Sequence, residues 1–365
     1  MCVPVRSNDA KNILDYDVIQ LRTIIKSLGH PEFRANQLLH WIYQKRVYEF
    51  SSMTTLSKSF RLWLLDNFKI EMPKVISEKR SADDTIKWLL QLDPLNSIEM
   101  VYIPETNRGT LCVSSQVGCA LNCSFCLTGI QGFNRNLSTS EIISQFIIAR
   151  EKLSSDYPSL HPITNVVFMG MGEPLTNELA VFPAAGLMTS EHALHLSPRK
   201  VTISTSGIVP AIVRMKSSTN VRLAVSLHAC RDDLRDQLVP INKKFNLKSL
   251  IQTCIDHYSE KRNYVTFEYI MINNINDTHQ DCLDLIKTVK RVPFSKVNLI
   301  PFNSFAESNY QPTPLKKIVA FQAKLIQSNI VATIRKTRGD DKLSACGQLA
   351  GVVKNRLKKI QCNNE

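Results

Sequence analysis

Long apolar runs are missing from this 365-residue chain: the longest, such as residues 165–171, fall far short of the roughly 20 residues that span a bilayer. No membrane partner is expected. The first 14 residues also lack the apolar stretch of a signal peptide, so the reading is of a soluble, cytoplasmic protein. Acidic side chains are scarce, 32 Asp and Glu against 45 Lys and Arg, and the net charge of +13 favours a polyanionic partner such as nucleic acid or an anionic surface. No internal repeat or low-complexity segment is present. With 44% hydrophobic and 21% charged residues the composition is that of an ordinary globular chain, long enough for one large domain and a smaller one of about 100 residues.

A disulfide scaffold is absent too. Of the ten cysteines, Cys2, Cys230, Cys254, Cys282 and Cys362 lie singly and read as small apolar or surface residues. The others are Cys112, Cys119, Cys123, Cys126 and the isolated Cys346. In a reducing compartment such clustered thiols point to a metal or to catalysis.

Hydrophobic periodicity divides the chain. Residues 1–75 read as a basic helical module: Leu21, Ile24, Ile25 and Leu28 fall at helical spacing before a Gly29 stop, a second helix follows Pro31 with Leu38, Leu39 and Ile42 on one face, and a third spans 56–68. Lys26, Arg34, Lys45, Arg46, Lys58 and Arg61 are its candidates for phosphate contact, although a solvated helix surface explains any one of them. Residues 76–109 carry an expected antiparallel pair, 85–92 and 98–103, joined by Asp93-Pro94-Leu95-Asn96. From 110 to 336 strand and helix alternate, with strands at 110–114, 163–169, 201–205, 223–227, 265–271 and 297–300 and a seventh at 331–336. Ser138 and Glu141 form a capping box ahead of the first intervening helix. This is an α/β pattern, and six β/α units predict a partial (β/α)6 barrel with its site at the strand C-terminal ends. Residues 337–365 form a C-terminal segment with the Cys346 loop and a basic tail, Lys354, Arg356, Lys358 and Lys359, that is a further candidate for phosphate contact.

Cys119-Ala-Leu-Asn-Cys123-Ser-Phe-Cys126 directly follows the first barrel strand and puts three thiolates in one compact loop. Structural zinc takes four ligands, and the nearest candidate for a fourth, Cys112, lies on the preceding strand. Three thiolates suit an iron–sulfur cubane with one iron left open for a small molecule.

The Cys-x3-Cys-x2-Cys loop resembles the signature of radical S-adenosylmethionine (SAM) enzymes. Thr110-Leu-Cys-Val-Ser-Ser-Gln-Val-Gly118, Gln131-Gly-Phe-Asn-Arg-Asn136, Met169-Gly-Met-Gly-Glu-Pro-Leu175, Ser204-Thr-Ser-Gly207, Ser226-Leu-His228 and Ala345-Cys-Gly-Gln-Leu349 resemble the RlmN/Cfr family of RNA methyltransferases over nearly the whole chain. The resemblance implies a [4Fe-4S] cluster on Cys119, Cys123 and Cys126, and SAM, two per turnover, contacted by Gly172, Glu173, Ser204, Ser226, Leu227, His228 and Asn303. It also implies methylation of C2 of an adenosine in the peptidyl transferase loop of 23S rRNA, and of the adenosine 3′ to the anticodon in some tRNAs. In that scheme Cys346 carries the methyl group and bonds covalently to the base, Glu99 accepts the C2 proton, and Cys112 resolves the adduct through a transient disulfide with Cys346. An electron donor such as flavodoxin or ferredoxin and a monomeric enzyme are expected. Arg335, Arg338 and Lys342 supply charge near Cys346, with phosphate contact as their plainer role.

Two alternatives stand beside this reading. A Cfr-like enzyme would methylate C8 of the same rRNA adenine, although Pro174 and Ser206 resemble RlmN. A non-catalytic iron–sulfur or zinc RNA-binding module would bind RNA without cleaving SAM.

Overall fold

The computed structural model describes residues 10–156, 162–261, 263–339, 347–349 and 351. The helical module comprises α1 (Val18–Ser27), α2 (Phe33–Leu39) and α3 (Lys58–Asn67). Asp17 and Gln20 close a capping box on α1, and Gly29 at φ +81° ends it. Leu21, Ile25, Leu38, Leu39, Phe60 and Leu64 are buried, and they belong to the same apolar cluster as the main domain. The module is therefore cemented to the barrel rather than hung from it.

The main sheet runs in chain order: β1 (Lys74–Arg80), β2 (Ile86–Asp93), β3 (Asn96–Glu105), β4 (Arg108–Cys112), β5 (Asn165–Phe168), β6 (Val201–Thr205), β7 (Arg222–Ser226), β8 (Asn263–Met271), β9 (Lys296–Pro301) and β10 (Val331–Ile334). Strands β1 to β4 are antiparallel, whereas β4 to β10 are parallel neighbours. Among the described residues β1 and β10 do not pair, so the barrel is partial, as expected. The expected antiparallel pair is β2 and β3. Strand β1 was not expected: Lys74-Val-Ile-Ser-Glu-Lys-Arg80 is a mostly exposed edge strand without apolar alternation, and it starts just before the anticipated boundary at 75.

Helices α4 (Thr139–Ser154), α5 (Glu178–Thr189), α6 (Val209–Ser218), α7 (Leu247–Tyr258), α8 (His279–Val289) and α9 (Leu315–Gln327) fill the connections. Ser138 and Glu141 cap α4 reciprocally. Inside the curved sheet Thr110, Thr202, Ala224, Thr266, Asn298 and Thr333 line a cavity of about 530 Å³, where a closed barrel would be packed with branched apolar side chains. No helix of the described residues is long and apolar enough to cross a membrane.

Candidate active site

The cysteine loop lies between the short strand Gln116–Gly118 and the helical turn Leu127–Gln131, beyond the C-terminal end of β4. Asn122 turns it back through φ +53°, a conformation asparagine tolerates, and the Cys126 N–H donates to the Cys123 carbonyl at 3.1 Å. Cys119, Cys123 and Cys126 all open onto one cavity of about 120 Å³ at the rim of the sheet. Gly172 and Glu173 after β5, Ser204 in β6, Ser226 ending β7 and the following His228 line the same cavity. Sequence and structure thus bring eight of the anticipated residues to one place.

Each is held for a physical reason. Gly172 has φ +101°, and a Cβ there would lie 2.5 Å from the Gln116 Cβ. The Glu173 carboxylate accepts from the Ser206 N–H at 2.8 Å and the Leu175 N–H at 3.0 Å. Burial pushes its pKa upward against those bonds. The Ser204 hydroxyl donates to Glu268 at 2.8 Å. Leu227 enters differently: its side chain is 0% exposed in the apolar core, and only its backbone lies at the rim.

His228 is buried, its ring edge-on to Phe125 with centroids 4.6 Å apart, and its Nδ1 accepts from the Ile270 N–H at 3.0 Å. Burial, aided by the nearby Arg235 charge, pulls its pKa from 6.5 to about 3. Below pH 6.5 the unfolded chain takes up a proton that the folded chain refuses until about pH 3, so this contribution to stability is lost as pH falls through that window. His228→Asn should flatten the acid-side loss of unfolding free energy by up to about 1.4 kcal/mol per pH unit. Equal pH slopes for the two proteins would refute the neutral buried imidazole.

Burial pushes the Cys119 thiol well up, Cys123 up to about 12, and Cys126 up as well. Thiolates here need a strongly cationic partner, which iron provides. Among the described residues no three His, Cys, Asp or Glu side chains converge on a point that would hold one ion. A structural zinc takes four ligands, whereas a cubane takes one thiolate on each of three irons, which matches the donor set of Cys119, Cys123 and Cys126.

Cys112 is buried at the end of β4 and lines an adjoining cavity of about 30 Å³ with Asn303, Arg335 and Arg338. Met169, Ile300 and Leu349 line both cavities. Glu99 on β3 lines neither. It is buried and pairs with Lys87 on β2 at 3.0 Å, both side chains 9% exposed. Val101 lies opposite both Lys87 and Cys112, and Glu99 is two residues along the same strand, so all three side chains share one face of the sheet. Cys346, Lys342, Lys354, Arg356, Lys358 and Lys359 lie outside the described residues, as do Cys2 and Cys362. The carbonyl of Gly347 accepts from the Leu127 N–H at 2.9 Å, and the Thr128 hydroxyl donates to the Leu349 carbonyl at 2.7 Å.

A model of the ribosomal RNA large subunit methyltransferase N-terminal domain matches residues 11–70, and one of the radical SAM superfamily matches residues 113–286. The dual-specificity RNA methyltransferase RlmN of Alkalilimnicola ehrlichii is 49% identical over 351 residues, 96% of each chain. The chain belongs to the RlmN family of radical SAM proteins. RlmN of Vesicomyosocius okutanii is 47% identical over 352 residues, 96% of this chain and 98% of the relative. The crystal structure of a radical SAM methyltransferase from Sphaerobacter thermophilus is 35% identical, covers 93% of this chain and 99% of its own, and superposes with a TM-score of 0.84. Membership in the radical SAM superfamily implies SAM and a [4Fe-4S] cluster. Sequence reading of this RlmN-family chain missed Glu268, Lys87 and Arg235. Glu268 had a signal, a lone carboxylate in the apolar strand Val265-Thr-Phe-Glu-Tyr-Ile-Met271.

Proposed function

We propose that this protein is a radical SAM RNA methyltransferase that methylates C2 of an adenosine, in the peptidyl transferase loop of 23S rRNA and 3′ to the anticodon in some tRNAs. The observation that carries the reading is the convergence of Cys119, Cys123 and Cys126 with Gly172, Glu173, Ser204, Ser226 and His228 on one rim cavity, with Cys112 in the cavity beside it. Leu227 through its backbone and Asn303 complete the SAM contacts. When bound, the cluster supplies the electron that cleaves SAM reductively, and a second SAM supplies the methyl group.

The chain's own residues do the rest. Cys346 accepts the methyl group and carries it to the base. Glu99 takes the C2 proton, with Lys87 fixing its carboxylate. Cys112 attacks the Cys346 sulfur, forming a disulfide and releasing the base. Arg335 and Arg338, lining the Cys112 cavity, favour its thiolate. A flavodoxin- or ferredoxin-type protein is the electron donor, and the monomer is the acting unit. Anaerobically purified protein should hold about four irons per chain and yield 5′-deoxyadenosine on reduction with SAM. One zinc per chain and no SAM cleavage would overturn the reading in favour of a binding module.

The helical module is proposed to grip RNA by its phosphates, with the basic tail at 352–365 assisting. Because the module's apolar residues merge with the main core, deleting it would expose that core; surface charge changes are the cleaner test. Lys45 and Lys58 are exposed. Lys45→Glu with Lys58→Glu should weaken RNA binding and flatten its logarithmic salt dependence by about 0.7 to 0.9 per lost phosphate contact. RNA-free SAM cleavage should be unchanged. Equal affinity and salt slope would remove these two lysines from the interface.

A further inference from the structure

Arg235, in the short helix Asp232–Leu238, is 0% exposed. Among the described residues no carboxylate lies within ion-pair distance of its guanidinium. Instead Nε donates to the Leu227 carbonyl at 3.0 Å, and Nη2 donates to the carbonyls of Ser226 at 3.0 Å and Ser206 at 2.7 Å. Nη1 donates to Asn242 at 2.8 Å, whose amide in turn donates to Asp232 and Asp236 at 2.8 and 2.7 Å. One planar fork therefore ties together the turns that follow β6 and β7.

The fork accounts for the geometry but not for the charge, since a buried cation without a direct counterion costs stability. The cysteine loop lies next to that charge. Ser206, whose carbonyl takes the Arg235 bond, has its hydroxyl 4.0 Å from the Cys123 sulfur. The Ser124 N–H donates to the carbonyl of Leu238, at the end of the Arg235 helix, at 3.2 Å.

We propose that Arg235 is a positioning residue with two separable effects: its fork fixes the turns that present Ser204, Ser226 and His228 to SAM, and its buried charge raises the reduction potential of the cluster. The proposal rests on Cys119, Cys123 and Cys126 being the cluster ligands. Reduction adds one electron and one negative charge to a group already surrounded by thiolates, and a fixed cation in low dielectric stabilises the reduced form over the oxidised one.

The test uses the full-length, anaerobically reconstituted protein at matched iron content, with the midpoint potential titrated in the absence of SAM and SAM affinity measured by calorimetry. Arg235→Gln removes charge and fork, so its potential should move to more negative values and its SAM Kd should rise at least about tenfold. Arg235→Lys keeps the charge and loses the fork. Its potential should return to that of the wild type while the SAM affinity stays weakened. A wild-type potential in Arg235→Gln overturns the electrostatic role, and wild-type SAM affinity in Arg235→Lys overturns the positioning role. If Arg235→Gln does not assemble, the lysine variant decides: a potential displaced together with the affinity, or neither displaced, overturns the separation. A wild-type protein that takes up no iron would instead sink the ligand assignment.

Discussion

Cys112→Ala is expected to leave the enzyme covalently attached to its RNA. The proposed adduct joins the Cys346 sulfur through a methylene to C2, and only attack on that sulfur breaks the link. The Cys112 thiolate would form the new S–S bond, and the electron pair left on the methylene carbon would take up a proton to complete the methyl group. An ordinary thiol is only a few per cent ionised at neutral pH, so the setting of Cys112 matters. It is 6% exposed and lines a cavity with Arg335 and Arg338. Without this sulfur, released product should fall by a thousandfold or on that order, as when a member of a concerted catalytic set is lost. A species that survives denaturation and maps to Cys346 should appear in its place. Cys346→Ala should give neither adduct nor product, and Glu99→Gln should build up a related adduct because the proton must leave before release. Cys112→Ala with normal methylation and no RNA-linked band on a denaturing gel would reduce Cys112 to a buried strand residue.

Replacing Cys119, Cys123 or Cys126 with Ala is expected to be equally severe, by a different route. A cubane needs all three thiolates to leave a single open iron, so each variant should lose most of its iron and all detectable SAM cleavage. Cys123 and Cys126 pack with a smaller apolar cluster around Leu234, Leu238 and Ile270, whereas the main core contains none of the three cysteines, so the variants should remain folded. Cys254→Ala is the control, because Cys254 is 0% exposed in the main apolar core and away from the rim. It should keep its iron. A cysteine-loop variant with full iron content and normal 5′-deoxyadenosine formation would remove that residue from the ligand set.

Much of this architecture was legible in the sequence because the signals are local. Strands β4 to β10 were anticipated from short, Val- and Ile-rich runs at regular spacing, and the capping box of Ser138 and Glu141 is written in residues three apart. The cysteine spacing placed the candidate ligands within eight residues. What escaped notice depends on tertiary register. Lys87 meets Glu99 only because β2 and β3 pair with Leu89 opposite Glu99, and neither residue is remarkable in its own segment. Arg235 sits in Arg231-Asp-Asp-Leu-Arg235-Asp236, which reads as a solvated charged helix until the carbonyls of two distant turns are found around it. Strand β1 is polar and exposed at a sheet edge, so it carries no periodic apolar mark. The fusion of the helical module with the main core likewise follows from packing that helix periodicity does not specify.

The position of the methyl group is the most direct test of the account. The reconstituted holoenzyme, supplied with SAM, a reductant and unmodified 23S rRNA or tRNA, should produce 2-methyladenosine, read by mass spectrometry of nuclease digests against synthetic 2- and 8-methyladenosine standards. The account predicts methylation at C2 alone, lost in Cys346→Ala; 8-methyladenosine, or RNA that is bound but never methylated, would contradict it.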